Sequence, residues 1–374
     1  MSKILFISNN LGLGGAQKMI VWLANVMVPH YDEVYLISCR SSEKEIATDS
    51  NVKVVSLNHG KKHNIFSKLL GRVQIINSLS KAVEKISPDI ICTFGFDCTF
   101  DLVIKAKYKK YPIVASERLD PSTFGKVKYF LSKYAYGKCK KVVFQLEEVK
   151  NMYSNMKERG LVIPNPYRIT SKYEHIDSKN RDKIIFSAAA RLEYRKGYDV
   201  LIKAFSKVHT LHPEYKLWLF GKGGYEVELR KIIAEEKLTE CVEIKDPITD
   251  FAYEMRRAKM FVLTSRAEGI PNTLIESMGM GIPCVATNCT PGGAKMLMAD
   301  MPEYLVPVDD VEAISQKMLE LIENDEKCNY NSERAVKIRD RLSEERITSL
   351  WIQTFNAAKK LIEVGNNAGK TIRS

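Results

Sequence analysis

Residues 260–280 read MFVLTSRAEGIPNTLIESMGM: an apolar run of strand length, a polar loop and then a helical pattern. Pro271 suits the first helical turn, where a residue needs no hydrogen-bond donor. A strand followed directly by a helix is the unit from which covered parallel sheets are built. The stretch therefore predicts an α/β fold, and its central loop lies where such folds bind ligands.

The alternation of strand-like and helical segments runs along most of the chain in two blocks. Strands are predicted at 4–8, 33–38, 52–57, 89–94, 112–116 and 141–145, and again at 183–188, 215–220, 241–244, 260–264 and 283–286. A helix is predicted at 101–109. Pro164, Pro166 and the polar stretch 171–182 mark a domain boundary. We predict two Rossmann-like, doubly wound parallel-sheet domains, at 1–168 and 169–345, that face a cleft, with a helix at 346–374 that packs back on the first domain.

The chain has 374 residues and a net charge of +12, and the excess positive charge lies in its first half. Residues 1–170 contain 26 Lys and Arg against 14 Asp and Glu, whereas residues 171–374 contain 31 of each. A basic domain of this kind suits an anionic partner, which can be an acidic membrane surface, a phosphorylated substrate or nucleic acid. The alternative is a solvated face that only aids solubility.

Hydrophobic runs and cysteines restrict the class of protein. No stretch has the roughly 20 consecutive apolar residues of a membrane-spanning helix, and the amino terminus lacks the cleavage site of a signal peptide. The eight cysteines form no Cys-x-x-Cys pair, and the histidines are too scattered to complete a zinc pattern. We expect buried free thiols in a reducing cytoplasm.

The loop and helix of the opening stretch carry groups suited to a phosphorylated carbohydrate. A helix amino terminus offers backbone N–H groups and the positive end of the helix dipole to a diphosphate. Glu268 precedes the helix and Glu276 lies within its first two turns, so both can face one cleft. Ionised carboxylates accept hydrogen bonds from sugar or ribose hydroxyls. The alternative is that both acids only stabilise the helix terminus.

Two cations follow the first strand of the second block. Arg191 and Lys196 are expected in a strand-to-helix loop at the same sheet edge as Glu268. There they can hold a diphosphate as its charge grows during bond cleavage, although solvent-facing loop charge is the alternative. In the first block, Gly14 and Gly15 allow close approach of backbone to phosphate, but their spacing is not that of a dinucleotide-binding fingerprint.

Three motifs, in this order, resemble the retaining glycosyltransferases of family 4, which have the GT-B architecture. They are Gly14-Gly15-Ala16-Gln17, Arg191 with Lys196-Gly197, and Glu268 with Glu276 followed by 281–287. The run 265–276 is similar to the Ser-Arg-x-Glu-Gly-x-Pro-Asn pattern of the bacterial branch that builds lipid-linked oligosaccharides and capsules. The sequence departs at Gln17, where the family often has Glu, and at Ala190, where a Gly often precedes the Arg.

The resemblance implies roles for individual residues. Arg191 and Lys196 would bind the diphosphate of a nucleotide sugar, Glu268 would contact hydroxyls of the transferred sugar, and Glu276 would hold the ribose. Gly15 would approach the diphosphate from the other domain. The backbone of Gly269, Ile270, Pro271, Asn272 and Thr273 would line the sugar and phosphate. The family also implies a hexose-type sugar, a UDP carrier, and retention of configuration by front-face attack in which the leaving phosphate accepts the acceptor's proton.

Other residues indicate whether a metal is needed and where an acceptor would bind. No Asp-x-Asp pair is present, and the metal-dependent sugar transferases use one to bridge metal and diphosphate. We therefore expect no metal and no other cofactor, with Arg191, Lys196 and the helix terminus supplying the electrostatic stabilisation. Asp97, Glu117 and Arg118 follow strands of the first block and are candidates for the acceptor side. A helix cap or a loop ion pair is the alternative for each.

Two basic stretches of the first block, at 61–73 and 126–134, combine lysines with apolar or aromatic residues. Both are typical of surfaces that lie on an acidic bilayer, although an apolar helix face can also belong to the core. We expect a cytoplasmic protein, peripheral at the inner face of the membrane, with a polyprenyl-diphosphate-linked glycan acceptor. The alternatives are a nucleotide-sugar epimerase of the same architecture and a basic nucleic-acid-binding protein. We expect no nucleic acid partner, because the sequence has no recognisable binding module.

Overall fold

The computed structural model describes residues 1–12, 14–42, 46–58, 65–105, 108, 110–168, 173–248 and 250–371, without the side chains of 65–69, 251 and 362–371. The chain divides into two compact units, one formed by 1–165 with 345–374 and the other by 166–344. Of the basic stretch predicted at 61–73, residues 61–64 and the side chains of 65–69 lie outside the described part.

The first unit is built on a seven-stranded sheet whose paired strands run parallel. Its strands are β1 (Lys3–Ser8), β2 (Glu33–Ser38), β3 (Val52–Ser56), β4 (Ile90–Phe94), β5 (Ile113–Ser116), β6 (Lys141–Phe144) and β7 (Gly160–Val162), in the order β3-β2-β1-β4-β5-β6-β7. Six of them correspond to predicted apolar runs, because strands covered on both faces are almost continuously hydrophobic. The additional β7 has only three residues, too few to show a pattern.

Within the described ranges, the first unit has five helices ahead of the domain boundary. They are α1 (Gly15–Met27), α2 (Ile65–Ile86), α3 (Phe96–Val103), α4 (Lys126–Gly137) and α5 (Glu147–Met152). The helix predicted at 101–109 is wrong in its bounds, because Gly95 has a φ of +86° and turns the chain directly from β4 into α3.

The second unit is built on a six-stranded parallel sheet. Its strands are β8 (Asp182–Arg191), β9 (Lys216–Lys222), β10 (Val242–Lys245), β11 (Ala258–Leu263), β12 (Cys284–Thr287) and β13 (Leu305–Val306), in the order β10-β9-β8-β11-β12-β13. Its helices are α6 (Tyr198–Leu211), α7 (Glu226–Glu235), α8 (Phe251–Glu254), α9 (Asn272–Gly279), α10 (Gly293–Leu297), α11 (Val311–Glu323), α12 (Asp325–Ala335) and α13 (Ile338–Arg341). Because β8 extends to Arg191, that residue ends a strand, and its expected position in a loop is wrong.

The last helix, α14 (Glu344–Thr371), packs on the sheet of the first unit through aromatic side chains. Trp351 stacks on Phe94 with ring centroids 6.1 Å apart, and Phe355 meets Phe6 edge-on at 6.2 Å. Both α14 residues are fully buried. Aromatic pairs of this kind bury large apolar areas, so they anchor the helix to the core of the first unit.

The two parallel-sheet units confirm the predicted Rossmann-like α/β fold. In each sheet the strand order reverses once, between β1 and β4 in the first unit and between β8 and β11 in the second. All eight cysteines are buried with free thiols. None of the helices in the described ranges is long and apolar enough to cross a membrane.

Candidate functional site

The centre of the second unit's sheet brings two loops together at the reversal of strand order, where sheets of this kind bind ligands. Residues 192–197 connect β8 to α6, and residues 264–271 connect β11 to α9. The Arg266 N–H donates to the carbonyl oxygen of Arg195 at 2.8 Å, and the Thr264 hydroxyl donates to that of Lys196 at 3.2 Å. These bonds hold the two loops in one arrangement.

Two glycines permit the close packing of the loops. Gly197 has a φ of +67°, and a Cβ there would lie 2.0 Å from the carbonyl oxygen of Thr264. Gly293, at the start of α10, approaches Gly269 so closely that a Cβ would lie 1.6 Å from its carbonyl oxygen. Both contacts exclude every residue larger than glycine. The loop at 289–293 therefore supports the loop that carries Glu268, whose N–H donates to the Thr290 carbonyl at 2.9 Å.

Glu268 is the centre of the charged groups at this edge. Its Oε2 lies 2.6 Å from the Lys196 ammonium and 3.3 Å from Nη1 of Arg195. The Glu268 and Lys196 side chains are only 17% and 14% exposed, so their charges are poorly screened by water. The structure thus brings together two residues that the sequence singled out from different motifs. It adds Arg195, which no sequence motif indicated.

A second carboxylate extends this group toward the solvent. Glu193 binds Nε of Arg195 at 2.7 Å through one oxygen and Nη1 of Arg191 at 2.9 Å through the other. Burial raises the pKa of Glu193, but its hydrogen bond with Arg195 and the nearby cations outweigh burial and lower it. Arg191 is 69% exposed and pairs with Glu193 rather than with Glu268. Its long side chain leaves the guanidinium accessible to an anion in the solvent.

Arg266 holds the same two loops together through Asp199 and Tyr194. The sequence did not indicate a role for it. Its two terminal nitrogens bind the two Asp199 oxygens at 2.9 and 2.7 Å, and Nη1 donates to the Tyr194 carbonyl at 2.6 Å. The guanidinium lies 3.9 Å from the centre of the Tyr194 ring. The hydrogen bond with Asp199 raises the pKa of Arg266. The Ser-Arg motif is the signal that could have predicted this fixed position.

Helix α9 begins at Asn272, and Pro271 is its N-cap rather than a residue of its first turn. Ile270 and Pro271 are buried, whereas Gly269, Asn272 and Thr273 are partly exposed. Burial lowers the pKa of Arg168. The negative charge of the partly exposed Glu276 lies close enough to Arg168 to oppose part of this lowering. Arg168 is a further cation of this unit that no sequence motif indicated.

In the first unit, Gly15 and Asp97 lie on either side of the reversal of strand order. Gly15 is the first residue of α1, which follows β1. Asp97 lies in the first turn of α3, which follows β4, and its half-exposed carboxylate lies 3.7 Å from Nη2 of Arg72. The shorter contact of Arg72, at 2.7 Å, is with Asp101. Asp97 is therefore weakly paired and accessible.

Glu117 is held inside the first unit, and Arg118 beside it is half-buried. Glu117 is fully buried and accepts hydrogen bonds from the Tyr136 hydroxyl at 2.6 Å and from the backbone N–H of Leu119 at 3.0 Å. Burial raises the pKa of Glu117, although these hydrogen bonds oppose the rise. The Arg118 guanidinium lies 4.6 Å from the Phe94 ring centre and donates to Asn165 at 3.1 Å. Burial lowers the pKa of Arg118 to about 10.

Residues 171–338 match the family model described as "Glycosyl transferases group 1". The match lies within the second unit and covers less than half of the chain. Lys196, Glu268 and Arg195 all lie within the matched range.

A relative that matches over nearly its full length is a glycosyltransferase by name. The relative is GalNAc-α-(1→4)-GalNAc-α-(1→3)-diNAcBac-PP-undecaprenol α-1,4-N-acetyl-D-galactosaminyltransferase of Campylobacter jejuni. The chain is 26% identical to it over 365 residues, and the alignment covers 96% of this chain and 99% of the relative. The chain is therefore a transferase enzyme, a glycosyltransferase.

Solved structures show the same fold. Sucrose-phosphate synthase from Thermosynechococcus elongatus superposes with a TM-score of 0.78 at 15% identity, over 96% of this chain and all of that one. Anabaena HepE, solved with UDP and glucose, superposes with a TM-score of 0.74 at 18% identity, again over 96% of this chain and all of its own. The glycosyltransferase thus has the GT-B fold that the sequence predicted.

Proposed function

We propose that this glycosyltransferase moves a hexose-type sugar from a UDP-sugar to a lipid-linked glycan acceptor in bacterial surface polysaccharide biosynthesis. The donor side is assigned to Arg191, Lys196, Glu268, Glu276 and the backbone of 269–273. The proposal includes membership of family 4, retention of the anomeric configuration and independence from metal ions.

The contact between Lys196 and Glu268 carries the proposal. It joins a cation suited to a diphosphate and a carboxylate suited to sugar hydroxyls within 2.6 Å, at the edge of the sheet where ligands bind. A nucleotide sugar presents these two chemistries on adjacent groups, since its β-phosphate is bonded to the anomeric carbon. A diphosphate would draw the ammonium away from Glu268 and free that carboxylate to accept hydrogen bonds from the sugar.

The transfer can proceed without a metal if cations of the chain stabilise the leaving group. The bond from the anomeric carbon to the β-phosphate oxygen breaks, and the acceptor hydroxyl oxygen bonds to the same carbon on the same face. The hydroxyl proton passes to the leaving phosphate oxygen, which gives UDP and the extended glycan. Lys196 and Arg191 would stabilise the negative charge that develops on the diphosphate.

The acceptor is proposed from the relative and from the charge of the first half of the chain. The Campylobacter relative is named for an acceptor built on PP-undecaprenol. A polyprenyl diphosphate lies in a membrane, and the basic first half suits the anionic inner face of a bacterial membrane. We assign the acceptor side to Asp97, which lies half-exposed in the first turn of α3.

A thermal-shift screen of nucleotide sugars tests the donor, followed by mass analysis of products formed on a lipid-linked acceptor. We expect one or more UDP-sugars to raise the melting temperature, and the acceptor to gain the mass of one glycosyl residue. Activity should survive EDTA, and NMR of the product should show the anomeric configuration of the donor.

Other outcomes would contradict separate parts of the proposal. Conversion of the donor to an isomer without any acceptor would indicate an epimerase. Loss of transfer on chelation, restored by added metal, would exclude the metal-independent mechanism. Inversion of the anomeric centre would exclude the retaining one.

A further inference from the structure

We propose that the outer face of α4 is the surface with which this protein docks on an anionic lipid bilayer. The inference rests on the proposed function, since a lipid-linked acceptor requires contact with a membrane, and it names the surface that makes this contact. The α4 face is defined by Val127, Phe130 and Tyr134 with the lysines at 126, 128, 133 and 138.

Apolar side chains of α4 point away from the protein. Val127 is 74% exposed and Phe130 is 71% exposed, and Tyr134 is also exposed one turn further along. These three residues are spaced by three and four positions, so they form one stripe along the helix. The opposite side carries the buried Ala135 and Tyr136. Single exposed apolar residues are common, but a continuous stripe on a helix indicates a partner.

Lysines surround this stripe without any acidic neighbour in sequence. Residues 121–146 contain six lysines and no Asp or Glu. Among the ion pairs of the described part of the chain, none includes Lys126, Lys128, Lys133 or Lys138, so their charges remain available to a partner.

Three of these lysines lie along aromatic rings. The ammonium of Lys128 lies 4.1 Å from the ring centre of Phe124, that of Lys133 lies 5.0 Å from Tyr129, and that of Lys138 lies 5.1 Å from Tyr134. Lysine stems that cover apolar surface while their ammonium groups stay in water are typical of membrane interfaces.

A bilayer with acidic headgroups matches this arrangement better than other partners do. Its headgroups would meet the ammonium groups at the rim, while its acyl chains would accept Val127 and Phe130. Nucleic acid would use the lysines but would leave the exposed valine in water, because phosphates and base edges give it no apolar contact. We therefore commit to the bilayer and treat nucleic acid as an outcome of the test.

Flotation of the full chain with vesicles tests the charges of the α4 face. We expect binding to vesicles of phosphatidylcholine with phosphatidylglycerol, release at high salt, and no binding to phosphatidylcholine alone. The variant Lys126→Gln/Lys133→Gln/Lys138→Gln should lower partitioning by about a hundredfold, since each lysine near an anionic surface contributes about fivefold. The matched control, Lys183→Gln/Lys222→Gln/Lys231→Gln, removes three exposed lysines of the second unit and should bind as the native protein does.

A second pair of variants tests the apolar stripe. Val127→Ser with Phe130→Ser should reduce binding to anionic vesicles at least tenfold. The matched control is Val227→Ser, which changes an 80% exposed valine on α7 and should have no effect. Melting temperatures of all variants should stay near the native value, because the changed side chains are at the surface.

Three results would overturn the inference. The native protein could fail to bind anionic vesicles at low salt, or both lysine variants could lose binding equally. Alternatively, the α4 variants could lose a gel shift with nucleic acid while vesicles show no binding at all. Transfer to a water-soluble acceptor with a short alkyl chain separates this inference from the proposed function. Transfer without vesicle binding removes only the docking surface, whereas vesicle binding without transfer to any acceptor removes the proposed function.

Discussion

Charged side chains follow the central strands of both sheets, but the two units hold them in different ways. In the second unit, Lys196, Arg195 and Glu268 lie in one chain of short ion pairs that continues through Glu193 to the exposed Arg191. In the first unit, Glu117 is enclosed in the protein and bonded to Tyr136 and to backbone N–H groups.

The difference lies in what each charge can exchange for its partner. A cation paired to a carboxylate can exchange that carboxylate for a phosphate, because both are oxyanions that accept hydrogen bonds from it. If a buried carboxylate moves away from its fixed donors, those N–H and O–H groups lose their hydrogen-bond partner. That loss is costly in free energy. We conclude that the ion-pair chain of the second unit suits ligand binding and that Glu117 holds the framework of the first.

The largest effect is expected from Lys196→Ala. It removes the cation that would stabilise the leaving diphosphate, and kcat/KM for transfer should fall by about 10³-fold, as for removal of one preorganised charge-stabilising group. Steady-state kinetics with the donor identified by thermal shift measures the change. Lys231→Ala, at an exposed α7 lysine, is the matched control and should leave the rate unchanged. Retained turnover in both Lys196→Ala and Glu268→Ala would remove the assignment of this site.

Much of the candidate site in the second unit could be predicted from the sequence, because its charged residues occur at fixed places in a local strand-loop-helix pattern. An apolar strand, a polar loop and a helix start in 260–280 fix where Glu268 must lie. The edge of a parallel sheet then brings it near residues that follow another strand, as the 2.6 Å contact with Lys196 shows.

The partners of the charges could not be predicted in the same way. Three cations lie within six residues, at Arg191, Arg195 and Lys196. Whether each one pairs with Glu193 or with Glu268 depends on the path of the backbone, which is determined by the fold. The left-handed Gly197 and the close approach of Gly293 to Gly269 determine that direction. Similarly, a positive φ at Gly95 moved the start of α3 ahead of the periodic pattern.

A smaller effect is expected from Arg195→Met. Arg195 is the second cation on Glu268, so it would hold that carboxylate in place once a diphosphate draws Lys196 away. Loss of one charge-assisted hydrogen bond should lower kcat/KM by about tenfold. Arg195→Lys should recover part of the loss, since it restores the charge but not the separate contacts of Nε with Glu193 and of Nη1 with Glu268. An unchanged rate in Arg195→Met would show that Lys196 alone positions Glu268.

The smallest effect is expected in the first unit, from Glu117→Gln, and it should appear in stability rather than in transfer. Burial raises the pKa of Glu117 in the folded chain, whereas the unfolded chain titrates near 4.5. The folded state therefore binds the proton more tightly, so this contribution to stability is present below pH 4.5 and is lost as pH rises through the raised pKa. Gln cannot ionise, so the melting temperature of the native protein relative to the variant should fall as the pH rises above 4.5, by on the order of 2 °C.

Differential scanning fluorimetry of both proteins across this range measures the change in stability, and transfer at neutral pH is measured in parallel. A framework residue predicts the pH-dependent difference together with nearly native transfer. If Glu117→Gln instead loses transfer with no change in relative melting temperature, then Glu117 acts on the substrate. The contrast between the exchangeable charges of the second unit and the fixed carboxylate of the first would then fail, because a residue enclosed by Tyr136 and backbone N–H groups would have to be released to reach a ligand.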